Sequence, residues 1–446
     1  MKHRDNYTFL TTAPVRSVVL QMAVPTIVCM LVTSLYNMAD TFFVGRLNTQ
    51  STAAVGIAFS IMSVVQAIGF FFGHGSGNFI SRCLGARRRE EAETMAATGF
   101  AMSLIGGAIV GAVGLAFLRP LVVALGATPT IEPLACTYLG IVLAGTPLMT
   151  ASLTLNHQMR LQGNALYGTI GITGGVVLNI LLNPLFIFTF DMGIAGAACA
   201  TVASQGFSLL ILLSMTQHRG NISVHPRRAK FSRTLMHEIV CGGSPSLMRQ
   251  GLAALSMVAL NHAAAICGGD AAIASMSIVS RFCFFVFSVV LGLGQGFQPL
   301  CGFCYGARLY DRVREGFKFC VVTGTVFLIV CAVVCWALAP DIVRLFRSDD
   351  TVVAIGTDAL RFQLLTFPLL PLIGLSNMYL QNIRRTVSAN LAAMARSGLF
   401  FLPLLPLLST LWGLTGVEAC QPLSDLCAFS LCLPLAVSAL RKMGRE

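Results

Sequence analysis

The residues best placed to do chemistry in this chain are one acid and a few amides and hydroxyls set inside long apolar runs. Asp40, in LYNMADTFFVG, is the one carboxylate well inside an apolar run in the first half, since Glu132 and Asp191 fall at run ends. A carboxylate in hydrocarbon is costly and marks a functional site by default. Thr33, Asn37 and Asp40 recur at i, i+4 and i+7, so they share one helix face, with Tyr36 one turn before Asp40. Asn179 and Asn183 repeat the i, i+4 spacing ahead of Pro184, and Thr201 and Gln205 repeat it in a third run. At a common depth these oxygens can hold a proton or replace the hydration shell of Na⁺, with the acid supplying charge. The ion-coupling candidates are therefore Asp40, Asn37, Asn179, Asn183 and Thr201, and Tyr36 and Gln205 are substrate-cavity candidates. Ordinary interhelical polar contact would also explain amides and hydroxyls. The unpaired acid favours function at Asp40.

The second half carries buried arginines instead. Arg249, Arg281 and Arg396 fall near the middle of apolar runs, with Arg361 on another, and Asp425, Glu418 and Asp358 are the acids available to them. Arginine does not deprotonate, so each guanidinium needs a partner, water or a route to the interface. Either they pair, or Arg249, Arg281 and Arg396 form a basic wall of the substrate cavity that selects anionic or zwitterionic cargo. His74, His157 and His262 read as lone imidazoles in polar packing. Cys301-Gly-Phe-Cys304 lacks the second pair or nearby histidine of a four-ligand zinc site. The other cysteines sit mostly in apolar runs as small hydrophobes. No metal, no cofactor and no catalytic constellation is expected, and the chain is not read as an enzyme.

The elements that must position these groups are membrane helices. Apolar residues make up 55% of the chain and charged residues 11%, against about 25% charged in an ordinary soluble domain. Runs long enough to cross about 30 Å of hydrocarbon fall near 17–45, 53–80, 94–118, 132–158, 163–188, 193–216, 236–262, 270–300, 317–340, 352–383, 386–410 and 414–440. GHGSGNFISRCLGAR at 73–87 returns in altered form as GQGFQPLCGFCYGAR at 294–308, an offset of 221 residues that also carries Pro147 onto Pro368. The fold class expected is an all-α polytopic membrane protein, twelve transmembrane helices in two six-helix bundles. Six crossings per copy is even, so the repeats are parallel. The expected division is an N-terminal lobe 1–216, a cytoplasmic linker 217–235 and a C-terminal lobe 236–446.

Charge sets the orientation. With the N-terminus inside, twenty-two Lys and Arg, Arg160 among them, fall on inner segments, and only Arg46, Arg119, Arg344 and Arg347 fall outside. Both termini are then cytoplasmic in a multi-pass inner-membrane protein. The net charge of +12 is an insertion signal, and no nucleic acid is implied. No signal peptide is read at the polar N-terminus. The partners expected are a small-molecule substrate and the lipid bilayer, with the protein a monomer.

LYNMADTFFVGRL, QGNALYG, LNILLNPLFIF and GIAGAACATVASQ together resemble the MATE (multidrug and toxic compound extrusion) antiporters, closer to the DinF- and MepA-like branches than to NorM. The resemblance runs over the whole chain. It implies alternating-access export of drug-like or amphiphilic compounds coupled to H⁺ or Na⁺, with Asp40, Asn179 and Thr201 at the positions those branches use. Where family members often read N-x-x-x-D-P, this chain has Asn179-Ile-Leu-Leu-Asn183-Pro184, so the second carboxylate is absent. The acids that NorM-like proteins carry on helices seven and ten are absent as well. The alternative is a flippase for a lipid-linked or anionic amphiphile, since a related superfamily shares this architecture.

Overall fold

A computed structural model describes residues 6–45, 47, 49–218, 220–347 and 349–444, apart from the side chains of 34–42, 45, 49 and 226. Among them every regular element is helical. α1 (Asn6–Thr12) precedes α2 (Val15–Gly45), α3 (Thr49–Gly85), α4 (Arg89–Ala116) and the short α5 (Leu118–Ala124). Next come α6 (Glu132–Ala144), α7 (Thr146–Leu161), α8 (Ala165–Pro184) and α9 (Gly193–Thr216). The second half holds α10 (Arg233–Gly306), α11 (Tyr310–Ala337), α12 (Ala339–Phe346), α13 (Asp350–Thr366), α14 (Leu370–Asn382), α15 (Thr386–Met394) and α16 (Phe401–Lys442).

Nine described helical stretches are long and apolar enough to cross a membrane, and the bent pair α6 and α7, 52° apart, makes a tenth. Two of the stretches cross twice. α10 turns at Gly269 (φ 61°), and the stretch ending in α16 turns at Gly413 (φ 58°), left-handed values that glycine adopts without strain. The result is twelve crossings. The expected loops before the eighth and twelfth helices are thus reduced to single glycine kinks.

The first six crossings meet the last six along α2, α3 and the two ends of α10, and the contact is backbone on backbone. A β-carbon on Gly85 would lie 2.1 Å from the Phe303 carbonyl oxygen, and one on Gly306 would lie 2.1 Å from that of Arg82. These contacts are reciprocal, because Phe303 and Arg82 are themselves 221 residues apart. Gly75 closes on Ile239 as Gly296 closes on Ala23, and Gly243 closes on Phe71 as Gly292 closes on Ile27. Arg87 and Arg308, again 221 apart, share φ of 60°. Each patch meets its own copy, the signature of a two-fold relation between parallel repeats.

The same end holds the first and last described residues. Arg312 donates to the carbonyls of Leu10 (3.1 Å) and Ala13 (2.6 Å), and Arg314 donates to that of Met443 (2.8 Å). α1 also reaches the first half, where Asn6 donates to Asn164 Oδ1 at 2.9 Å. The connection after α9 is tied down: Ile222 is buried, its N–H donates to Gln162 at 3.0 Å, and Arg89 donates to the Asn221 carbonyl at 3.0 Å.

Gly85→Ala and Gly306→Ala are each expected to lower the unfolding temperature of the purified protein. Gly56→Ala, where an added β-carbon meets nothing within 4 Å, is expected to leave it unchanged. A scanning thermal melt of the three variants checks this.

Candidate functional site

In the first half, small residues let α8 and α9 close on each other. A β-carbon on Gly175 would lie 2.9 Å from the Ser204 carbonyl oxygen. That approach buries an amide cluster. Asn183 Nδ2 donates to Asn179 Oδ1 at 2.7 Å, and Asn179 Nδ2 donates to Ser204 Oγ at 3.3 Å. Ser204 was not singled out in the sequence, although its neighbours Thr201 and Gln205 were. Thr201 is buried beside the cluster, but its hydroxyl donates to the Ala197 carbonyl of its own helix at 3.0 Å. Gln205 is half-buried, and its Oε1 has no partner among the described residues. Thr169 of α8 donates to the Pro25 carbonyl of α2 at 3.0 Å, so the helix that carries Asp40 packs on the helix that carries the asparagines. The side chains of Tyr36, Asn37 and Asp40 lie outside the described residues.

In the second half the arginines part company. Arg396 lies on a π-helical turn, Ala395–Leu399, and its Nε donates to Asp425 Oδ1 at 2.8 Å. Asp425 has no exposure and accepts further hydrogen bonds from Gln421 (2.9 Å), Thr366 (3.2 Å) and Gln363 (3.3 Å). The Arg396 guanidinium also sits 5.4 Å from the Phe287 ring centroid. Arg281 is exposed and Arg249 half-buried, and neither has a hydrogen-bond or ion-pair partner among the described residues.

The junction between the halves carries two further groups. Glu238 of α10 is buried and pairs with Arg82 of α3 at 3.1 Å and with Arg384, so one acid joins both halves. Arg82 also donates to the Asn382 carbonyl at 2.9 Å. Arg160, counted above with the basic flanks, is instead buried at the end of α7. Its Nη2 bonds His157 Nδ1 at 2.8 Å and His74 Nε2 at 3.3 Å, and its Nη1 donates to Gln295 of α10. The two imidazoles, read as lone in the sequence, have ring centroids 4.3 Å apart. What joins these residues is the packing of α3, α7 and α10 on one another, which no local spacing records. Arg160 thus puts a buried cation among the first six helices.

Arg396→Ala would leave the Asp425 carboxylate buried without its cation, an expected loss of about 3–5 kcal/mol. Arg281→Ala, exposed and unpartnered, is expected to change stability by less than about 0.5 kcal/mol. Unfolding of the two purified variants side by side tests the contrast.

Comparisons agree with this architecture. The chain is 27% identical over 400 residues to the multidrug export protein MepA of Staphylococcus haemolyticus (strain JCSC1435), covering 89% of this chain and 88% of that protein. To MepA of Staphylococcus aureus (strain MRSA252) it is 27% identical over 419 residues, 94% of this chain and 92% of that one. Its fold superposes on a MOP superfamily transporter from Pyrococcus furiosus with a TM-score of 0.93 at 23% identity, over the whole of both chains. It superposes on the Vibrio cholerae MATE transporter VcmN with a TM-score of 0.90 at 24% identity, over 99% of each. The MatE family profile matches residues 25–185 and again 245–407, one match in each half and well over half of the chain together. Twelve crossings, reciprocal glycine contacts and this doubled match make the chain a member of the MatE family of membrane transporters.

Proposed function

We propose that this protein is an ion-coupled antiporter that exports drug-like or amphiphilic small molecules by alternating access, with Asp40 as the coupling carboxylate. One observation carries the reading. Every described hydrogen bond and ion pair between the first six and the last six crossings lies toward the end that holds the termini, from Leu10 and Ala13 through Arg82 to Arg160. Halves latched at one end and unlatched beyond it suit a cavity that opens to one side at a time. The export proteins named above, similar over nearly their full length, supply the cargo class. The charge count favours cytoplasmic termini in an inner-membrane protein, which would make the latched end the inner one.

Asp40 would exchange the ion, with H⁺ preferred to Na⁺. A lone carboxylate takes up one proton and becomes neutral, while the amides of Asn179 and Asn183 bond with either form. With Asn183 in place of the acid that the family resemblance often implies, helix α8 offers no second carboxylate for Na⁺. In proteoliposomes, Asp40→Asn is expected to abolish drug flux driven by an imposed pH gradient and to leave expression near normal. Wild-type flux from that variant under either a pH or a Na⁺ gradient would remove Asp40 from the coupling.

A second reading, a flippase for an anionic amphiphile, is favoured by Arg249 and Arg281, which lack acid partners among the described residues. Flux of a panel spanning cationic, neutral and anionic compounds separates the two. The latch makes its own claim: Glu238→Gln frees Arg82 and Arg384 and should speed hydrogen–deuterium exchange in 238–246 and 292–306. Unchanged exchange there would mean that Glu238 does not hold the halves together.

A further inference from the structure

A cavity of about 460 Å³ lies between the turn that joins α10 to α11 and the C-terminal end of α16. Its volume falls in the range of small-ligand sites, about 300–1,000 Å³. Four arginines line it, Arg308, Arg312, Arg314 and Arg441, against one acid, Asp311.

Two of the four are already committed. Arg314 donates from Nη1 to Asp311 Oδ1 (2.7 Å), and from Nε and Nη2 to the carbonyls of Leu440 (3.2 Å) and Met443 (2.8 Å). One guanidinium thus answers both the acid and the carbonyl end of α16. Arg312 holds the carbonyls of Leu10 and Ala13 at the end of α1. Arg308 and Arg441 are exposed, with neither a hydrogen bond nor an ion pair among the described residues. The amide end of α11, a helix of 28 residues whose N-cap Leu309 makes no side-chain bond, adds potential of the same sign. The walls are close-packed: a β-carbon on Gly444 would lie 3.1 Å from the Tyr310 ring.

Depth narrows the ligand. Arg314 lies three residues before the apolar run that starts at 317, about 5 Å along the helix. Headgroup layers reach about 5–7 Å beyond the hydrocarbon on each side. The pocket is therefore level with lipid phosphates. Further along α11, Val322, Val326 and Val330 are exposed and apolar, as a side that faces acyl chains must be, and Leu309 is exposed at the pocket itself.

We propose that this pocket binds a phosphate group, carried by an anionic phospholipid of the adjoining leaflet. Guanidinium forks match phosphate oxygens in pairs, and the open donors of Arg308 and Arg441 are answered by an anion and by no apolar ligand. Basic pockets at the ends of membrane helices hold anionic headgroups on the same physical grounds. The bound phosphate joins the α10–α11 turn to α16 beside the arginine that holds α1, and so firms the latched end from the lipid side.

The test uses the purified full-length protein in detergent micelles and no transport assay, so its outcome is separate from the antiport reading. Thermal unfolding is followed as phosphatidylglycerol replaces phosphatidylcholine in the micelles, and separately as sodium phosphate replaces sodium gluconate at constant ionic strength. A saturable rise in unfolding temperature with phosphatidylglycerol is expected, because a ligand of the folded state stabilises it by mass action. A rise with sodium phosphate alone would keep the phosphate site and overturn its lipid source. Arg308→Gln combined with Arg441→Gln is expected to raise the half-saturating lipid fraction about tenfold or more. Arg227→Gln combined with Arg233→Gln removes two exposed charges outside the pocket and should leave that fraction unchanged. No rise with either probe, a rise that the first pair leaves intact, or an equal loss in both pairs would overturn the site. Should the first pair fail to fold, hydrogen–deuterium exchange of the wild type in 306–314 and 439–444 decides. Slower exchange with phosphatidylglycerol than with phosphatidylcholine supports the site, and equal exchange overturns it.

Discussion

Two helices can approach until their backbones touch only where neither presents a β-carbon, and the latched end of this protein is built on that allowance. Gly85 and Gly306 meet the carbonyls of Phe303 and Arg82, with Gly75, Gly243, Gly292 and Gly296 continuing the seam. In lipid, association cannot draw on hydrophobic burial as it does in water, so close van der Waals approach is a main attraction left. The polar groups depend on it. Glu238 can reach both Arg82 and Arg384, and Arg160 can reach across to Gln295, only because α3 and α10 lie this close. A seam of backbone rather than interlocked large side chains also separates without repacking a core. That suits two bodies that must part and rejoin.

Much of this was legible in the residues. The glycine echo between 73–87 and 294–308 carried the duplication, because a position that tolerates only glycine keeps its identity when the surroundings drift. The i, i+4 spacing of Asn179 and Asn183 was enough to bring their amides together, as the 2.7 Å bond between them records. Contacts between distant helices were not legible. Arg396 had three candidate acids in the sequence, and the choice of Asp425 rests on how α16 returns against the π-turn of Ala395–Leu399. Arg160 lies where hydropathy ends a run, and it is buried by a helix more than a hundred residues away. His74 and His157 are 83 positions apart, so the contact of their rings left no local trace.

Glycine hid one feature as it revealed another. The runs at 236–262 and 270–300 predict a loop between them, yet Gly269 turns α10 with one left-handed residue, and Gly413 does the same before the last crossing. Hydropathy counts the crossings but is blind to how little chain can join them. The tail of the first half shows the opposite surprise: the connection after α9, basic and polar, is stitched to α4 and α7 through Arg89, Gln162 and buried Ile222.

The two-fold relation has a consequence for ancestry. His74 and Gln295 are symmetry mates under the 221-residue step, and both bind the guanidinium of Arg160. The mate of Arg160 is Gln381, which turns away to the Gly242 carbonyl and the Ser246 hydroxyl of its own half. Two identical copies would have brought a pair of arginines to the same axis, like charge toward like charge in a dry seam. The fused chain, whose halves are free to diverge, carries this cation once, where two identical halves would carry it twice. The duplication supplied the symmetric scaffold, and the loss of symmetry at one position leaves one arginine where symmetry would place two.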